Sequence, residues 1–253
     1  MTSGNRSDRD AAPPQGLHAV VNVGNTHVRW LTFNGDEPVG EGRLVTAELS
    51  RVPPPAPVVG LVSVVPAASQ QLTGHWQAAG AVVHLLDATS PHGLEVAYEP
   101  PGALGADRLM NAVALWARRG PGIVIDLGTA TTLTLVDVAG RLRGGAILPG
   151  LSMARDALWR RTAQLPEVPL VVPGGALGAS TVAALQAGIV LGHVGALQHL
   201  VGRLRQEAPG ATALLLTGGW GALLAPELPE AEWCPDLGLA GARRVLARLS
   251  GGS

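Results

Sequence analysis

The stretch VNVGNTHVRW, residues 21–30, places Gly24, Asn25 and Thr26 at the tip between two apolar runs, LHAVVNV and VRWLTF, which read as paired strands. A second stretch, VIDLGTATTLTLVDV at 124–138, repeats the design: apolar strand, acid or amide, one residue, glycine, hydroxyl or amide residues, second strand. Asn22 aligns with Asp126 and Gly24 with Gly128, each pair 104 positions apart. Such a repeat predicts an α/β protein of two similar domains that face each other, with the ligand in the cleft between them. Glycine lets backbone N–H groups approach a phosphate, Thr or Asn adds a short donor, and a carboxylate at the strand end holds a cation or its waters. One such turn is equally a plain tight hairpin. The repetition, together with the glycine turn TGGWG at 217–221, favours two turns that grip one polyphosphate beside a seat for a nucleoside.

Composition narrows the partners. With 253 residues, 47% apolar and 15% charged, the chain has the balance of a folded globular protein. A net charge of −1 without runs of like charge lacks the footprint of a nucleic-acid or anionic-membrane binder, so small molecules are the expected partners. A single cysteine, Cys234, excludes an internal disulfide and a multi-cysteine metal site, and suits the cytoplasm. The polar opening, residues 1–16, has no signal-peptide core and reads as a disordered leader. All 18 basic residues are Arg. Without lysine there is no GxxxxGK[ST] loop, no kinase-type strand lysine and no Schiff-base chemistry, so phosphate must be held by backbone amides, hydroxyls, a metal or Arg.

Outward from the two turns, RLVTAEL at 43–49 reads as a third strand, VVGLVSVVP as a buried strand, the segment from Ala67 as a helix and AVVHLL as another strand. GADRLMNAVALWARR, 105–119, has Leu109, Ala112, Val113 and Trp116 at helical spacing with polar residues at its start. The second half continues as a three-strand meander, the helix LSMARDALWRR, one long helix from near Ser180, the strand ATALLLTGG and the closing helix GLAGARRVLARL. The expected division is 17–118 and 119–253.

Six motifs, VNVGNTHVRW, YEPPGALGADR, IDLGTATT, GGAILPGL, LGASTVAALQAG and LLLTGG, occur in an order and spacing that resemble the type III pantothenate kinases, from about Leu17 to the C-terminus. The resemblance implies two ribonuclease-H-like domains of the actin-like and sugar-kinase ATPase superfamily. It also implies transfer of the ATP γ-phosphate to pantothenate, the first step of coenzyme A synthesis. By position, Asn22, Val23, Gly24, Asn25, Thr26, His27, Val28 and Arg29 match the first phosphate loop, and Thr129 also lies at ATP. Asp107 matches the general base. Gly105, Ala106 and Arg108 match the substrate lining, Tyr98 and Thr181 match substrate contacts, and Asp126 matches the ligand of a monovalent cation, K+ or NH4+. Magnesium accompanies ATP, and the family implies a homodimer.

Each residue also has a plainer reading. Asp107 near a helix start is favourable to the helix dipole alone. A carboxylate after the apolar GIVI needs a partner or a cation, which favours function for Asp126. His18, His27 and His193 have no metal-ligand spacing and read as structural. The apolar stretch 182–202 has the length of a membrane span, but Gln186, His193, Gln198 and His199 interrupt it, as in a core or subunit-interface helix. Two positions depart from the family: Asn22 stands where it has Asp, and Arg29 where it commonly has Lys. Arg keeps the charge with a different donor geometry. Asn removes a negative charge near the expected magnesium, which leaves a second reading, a nucleotide-binding accessory protein without activity. A third, another small-molecule kinase or phosphatase of the superfamily, fits the substrate-side matches less well, and no GxGxxG supports a Rossmann dehydrogenase.

Overall fold

A computed structural model describes residues 16–52 and 56–250, so the leader before Gly16 lies outside the described residues. The chain divides into two compact units, one running to Arg118 and resuming at Leu237, the other spanning Arg119–Asp236. In the first unit, strands β1 (Leu17–Val23), β2 (His27–Asn34), β3 (Glu37–Val45), β4 (Val58–Ser63) and β5 (Val82–Leu85) form a sheet in the order β3-β2-β1-β4-β5. The first three strands are antiparallel neighbours, and β1, β4 and β5 run parallel.

Central β1 is apolar on both faces because both are covered. Val21, Val23, Val59 and Leu61 pack with Ala68, Leu72 and Trp76 of α1 (Pro66–Ala78), whose Trp76 Nε1 donates to Val52 O at 3.2 Å. The opposite face meets the closing helix, which packs against β1 and β4. A short strand β6 (Glu95–Val96) precedes α2 (Ala106–Arg119).

The second unit repeats the pattern with β7 (Gly122–Leu127), β8 (Ala130–Val136), β9 (Arg141–Pro149), β10 (Ala213–Thr217) and β11 (Glu232–Trp233) in the order β9-β8-β7-β10-β11. Again three antiparallel strands are continued by parallel ones. This repeated order and mixture of directions is the ribonuclease-H-like architecture, occurring twice. Helices α3 (Leu151–Arg161), α4 (Thr181–Gln186), α5 (Gly192–Glu207) and α6 (Gly221–Leu224) complete the unit. The β8–β9 reversal is fixed by Asp137, which accepts from Ala139 N, Arg141 N and Arg141 Nε, the last at 2.9 Å.

Four details differ from the sequence reading. The third strand begins earlier, at Glu37, because Gly35 at φ 56° turns the chain after Asn34, and TAEL forms a 3-10 turn instead of extending it. The long helix from Thr181 contains one π-turn, Ala187–Leu191. That helix is long and apolar enough by composition to cross a membrane. Its Ala187, Ile189, Val190, Val194, Leu197 and Val201 are buried, and those from Ile189 on form part of the core of the second unit. Finally, the closing helix α7 (Leu237–Ser250) belongs to the first unit, not to the second half where chain order put it. Gly241 permits this, since a Cβ there would run into the Met110 backbone of α2.

Candidate active site

In the first unit the site is built at the end of β1. The register sets Asn22 opposite Arg29 on β2 and beside Val62 on β4, and Arg29 opposite Arg43 on β3. Val23 and Val28 close the hairpin as buried residues, so their part is to anchor the turn. Between them Gly24 N donates to His27 O at 2.9 Å. Thr46, just past β3, braces the turn twice, through Oγ1 to Gly24 O (2.8 Å) and N to Thr26 O (2.9 Å). Asn25 and Thr26 are left exposed at the tip. The Asn22 Oδ1 atom is buried without a hydrogen-bond partner, and its amide lies close to Gly238 at the start of α7, as does buried Asn111.

The second feature of this unit is the GADR segment. Asp107 sits in the first turn of α2 and accepts from Arg108 N at 2.8 Å. Burial pushes its carboxyl above the ordinary carboxylate range, although that hydrogen bond and the Arg108 charge pull the other way. Gly105 leaves room for this carboxylate, since a Cβ would stand 2.6 Å from Asp107 Oδ1 and force it to shift. Ala106 and Arg108 are buried, and the Arg108 guanidinium lies 5.4 Å from the centre of the Tyr98 ring. The structure therefore joins Tyr98, Gly105, Asp107 and Arg108 in one cluster.

The second unit carries the counterpart turn. Asp126 is the last residue but one of β7, with Thr132 of β8 and Thr217 of β10 as its register partners. Gly218, at φ 95°, leaves room for it, since a Cβ there would lie 2.5 Å from Asp126 Oδ1. Thr129 is exposed at the tip, and Gly150 is pressed against the carbonyl side of Gly128 and Thr129, which explains the glycine after AILP. Two residues past Thr129, buried Thr131 Oγ1 meets His193 Nε2 of α5 at 3.0 Å. No sequence motif announced that contact, and burial holds the His193 ring below its ordinary pKa. Thr181 is exposed at the start of α4, whose cap is Ser180 Oγ accepting from Ala183 N at 3.2 Å.

The donors can be tested against the ions that the resemblance implies. Asp126, with hydroxyl neighbours and a glycine that spares its oxygen, suits a cation. At the first turn the strand-end oxygen is a neutral amide, and among the described residues no group of three or more His, Cys, Asp or Glu is placed to hold a metal. A divalent ion there would be held chiefly by the phosphates it arrives with.

The type III pantothenate kinase family profile matches residues 19–203. Curated relatives of that description include one from Thermus thermophilus, 35% identical over 89% of this chain and 97% of its own length. Another, from Thermomicrobium roseum, is 36% identical over 91% and 96%. A third, from Moorella thermoacetica, is 41% identical over 62% of each chain. Among solved structures, a Baf family protein from Campylobacter jejuni superposes with a TM-score of 0.66 at 19% identity, covering 91% of this chain and 98% of that one. An ethanolamine utilization protein from Carboxydothermus hydrogenoformans gives 0.53 at 13% identity, covering 92% and 90%, and the two superpositions bear on the fold alone. With doubled ribonuclease-H-like sheets, paired glycine turns, an intact GADR segment and near-full-length relatives of one description, the chain belongs to the type III pantothenate kinase family.

Proposed function

We propose that the protein transfers the γ-phosphate of ATP to the hydroxyl of pantothenate, giving 4'-phosphopantothenate and ADP, the first step of coenzyme A biosynthesis. The observation that carries this reading is Asp107, a carboxylate of raised basicity held at a helix start by Arg108 N and given room by Gly105. In the reaction the pantothenate oxygen bonds to the γ-phosphorus, the bond to the β,γ-bridging oxygen breaks, and the hydroxyl proton passes to Asp107 Oδ. A carboxyl above the ordinary range takes that proton more readily than a solvated aspartate.

Tyr98, Gly105, Ala106, Arg108 and Thr181 position pantothenate. Residues 22–29 and Thr129 hold the ATP phosphates through backbone amides, Asn25, Thr26 and Arg29. Mg2+ enters as part of the nucleotide substrate, and a K+ or NH4+ ion at Asp126 supplies fixed positive charge near the phosphates. The protein acts in the cytoplasm as a homodimer. Support for the dimer is apolar surface on the second unit: Met153, Leu158, Trp159, Val171, Val182 and above all Leu177, 96% exposed. A monomeric mass at micromolar concentration would defeat it. The kinase reading is tested by ADP release with and without pantothenate in the presence of Mg2+ and K+. Pantothenate-dependent ADP is expected, and its absence over a wide range of ATP and Mg2+ concentrations would leave the accessory-protein reading in its place.

A further inference from the structure

We propose that His193, which lies outside all six sequence motifs, is a positioning residue of the second glycine turn: its bond to Thr131 fixes the strand end from which Thr129 meets the ATP phosphates. The proposal rests on the kinase reading above and adds a supporting residue to its nucleotide side.

The two units close their turns differently. In the first, Val23 and Val28 are the facing pair at the turn, both fully buried in the apolar core beneath α1. In the second, the facing pair is Leu127 and Thr131. Leu127 joins the apolar core, but the residue in the place of Val28 is a threonine, equally buried, whose Oγ1 meets His193 Nε2 at 3.0 Å. An apolar closure is available to this architecture, since the first unit uses one. Burying a hydroxyl and an imidazole to form one bond brings little stability over two apolar side chains of similar shape. What the bond adds is direction, because a hydrogen bond sets distance and angle whereas apolar packing is non-directional.

The bond lies where direction matters. Thr131 is the first residue after the turn to pair with β7, and only Ala130 separates it from Thr129. Gly150 is pressed against the carbonyls of Gly128 and Thr129 and caps α3, and α3 packs against the π-turn Ala187–Leu191. Gly192 and His193 follow that π-turn directly. Both supports of the turn therefore lead back to one helix. π-Turns gather at functional sites, and this one sets the phase of α5, whose Val194, Leu197 and Val201 are core residues beside His193. Burial holds the His193 ring below its ordinary pKa and so neutral, and a neutral imidazole makes this bond to a hydroxyl in either tautomer.

The test is equilibrium binding of MgATP and of pantothenate to the full chain, together with Tm, for wild type, the double variant Thr131→Val/His193→Leu, and His193→Gln. The double variant gives the second unit the apolar closure of the first and leaves neither partner of the bond buried and unpaired, so Tm should be kept. The Kd for MgATP should nevertheless rise about fivefold, the scale of one hydrogen bond, while pantothenate binding stays within twofold. His193→Gln, which keeps a side-chain hydrogen-bonding group, should recover part of the loss. Unchanged MgATP affinity in the double variant overturns the proposal, since the bond then serves packing alone. A lowered Tm with parallel weakening of both ligands, or a double variant that does not fold, also overturns it, since that marks a structural role. Wild type that binds MgATP but releases no pantothenate-dependent ADP would remove the kinase reading, and the MgATP comparison would still decide this proposal. Wild type that binds no MgATP overturns both.

Discussion

The two units share one strand order and one mixture of strand directions, yet their glycine turns have opposite electrical character. In the first, the strand-end residue is Asn22, flanked by Arg29 and Val62, with Arg43 next on the rung. In the second it is Asp126, flanked by Thr132 and Thr217. The turns differ in length as well. Val23 pairs with Val28, but Leu127 pairs with Thr131, so the first turn is longer by one residue and is braced by Thr46. The second is backed by Gly150. One architecture therefore carries two different strand ends: a basic edge at the first turn and a carboxylate at the second. What differs is a handful of side chains at equivalent register positions, which fits the rule that folds host sites rather than determine them.

The largest effect should come from the group that only the first unit possesses. Asp107→Asn removes the proton acceptor and keeps the side-chain size, so kcat should fall by roughly 10²-fold or more, with MgATP binding changed little. The wild-type pH profile sharpens this. Because burial raises the Asp107 carboxyl, the active carboxylate form is lost as pH falls through a value above the ordinary aspartate range. The acid limb of kcat should therefore lie above that range and disappear in Asp107→Asn. A variant retaining most of its activity, with the same acid limb, would remove Asp107 from the chemistry.

Next comes the anionic seat. Asp126→Asn gives the second unit the same neutral amide that the first already has. If Asp126 holds the monovalent cation, the K+ needed for half-maximal rate should rise roughly tenfold, the factor that follows from removing a partly screened charge interaction of about 1.4 kcal/mol. Unchanged K+ dependence would show that the carboxylate serves the turn alone.

Much of this was legible because it is local. The paired turns predict both sheets, and the GADR motif singles out Asp107. What escaped was set by contacts distant in sequence. The closing helix has an ordinary amphipathic pattern, and only contacts distant in sequence, with β1, β4 and the Met110 backbone, show that it returns to the first unit. Thr131 and His193 meet across 62 residues, and the π-turn just before His193 leaves no compositional trace. The hairpin at Gly35, which sets the register of β3 against β2, was missed with the true start of β3. Gly105 was legible as a motif position, but its reason, the space taken by Asp107 Oδ1, is three-dimensional.

The smallest expected effect is the most informative about the comparison, because it makes the two strand ends alike. Asn22→Asp places a carboxylate opposite Arg29 and at a position whose present oxygen, Asn22 Oδ1, is buried without a partner. Two attractions then compete for the new charge. If magnesium wins, the Mg2+ concentration for half-maximal rate should fall roughly threefold, the scale of a partly screened charge pair, and activity at limiting metal should rise. If Arg29 wins, its guanidinium is drawn from phosphate, and the KM for MgATP should rise with no gain at low magnesium. We expect the first outcome, because Mg2+ carries two charges and ATP brings it to the turn. An unchanged magnesium requirement, or reduced activity, would instead show that the amide is a working part of this turn. The phosphate grip would then depend on backbone amides, Thr26, Thr129 and the cation near Asp126, and the two units would have diverged by function as well as by charge.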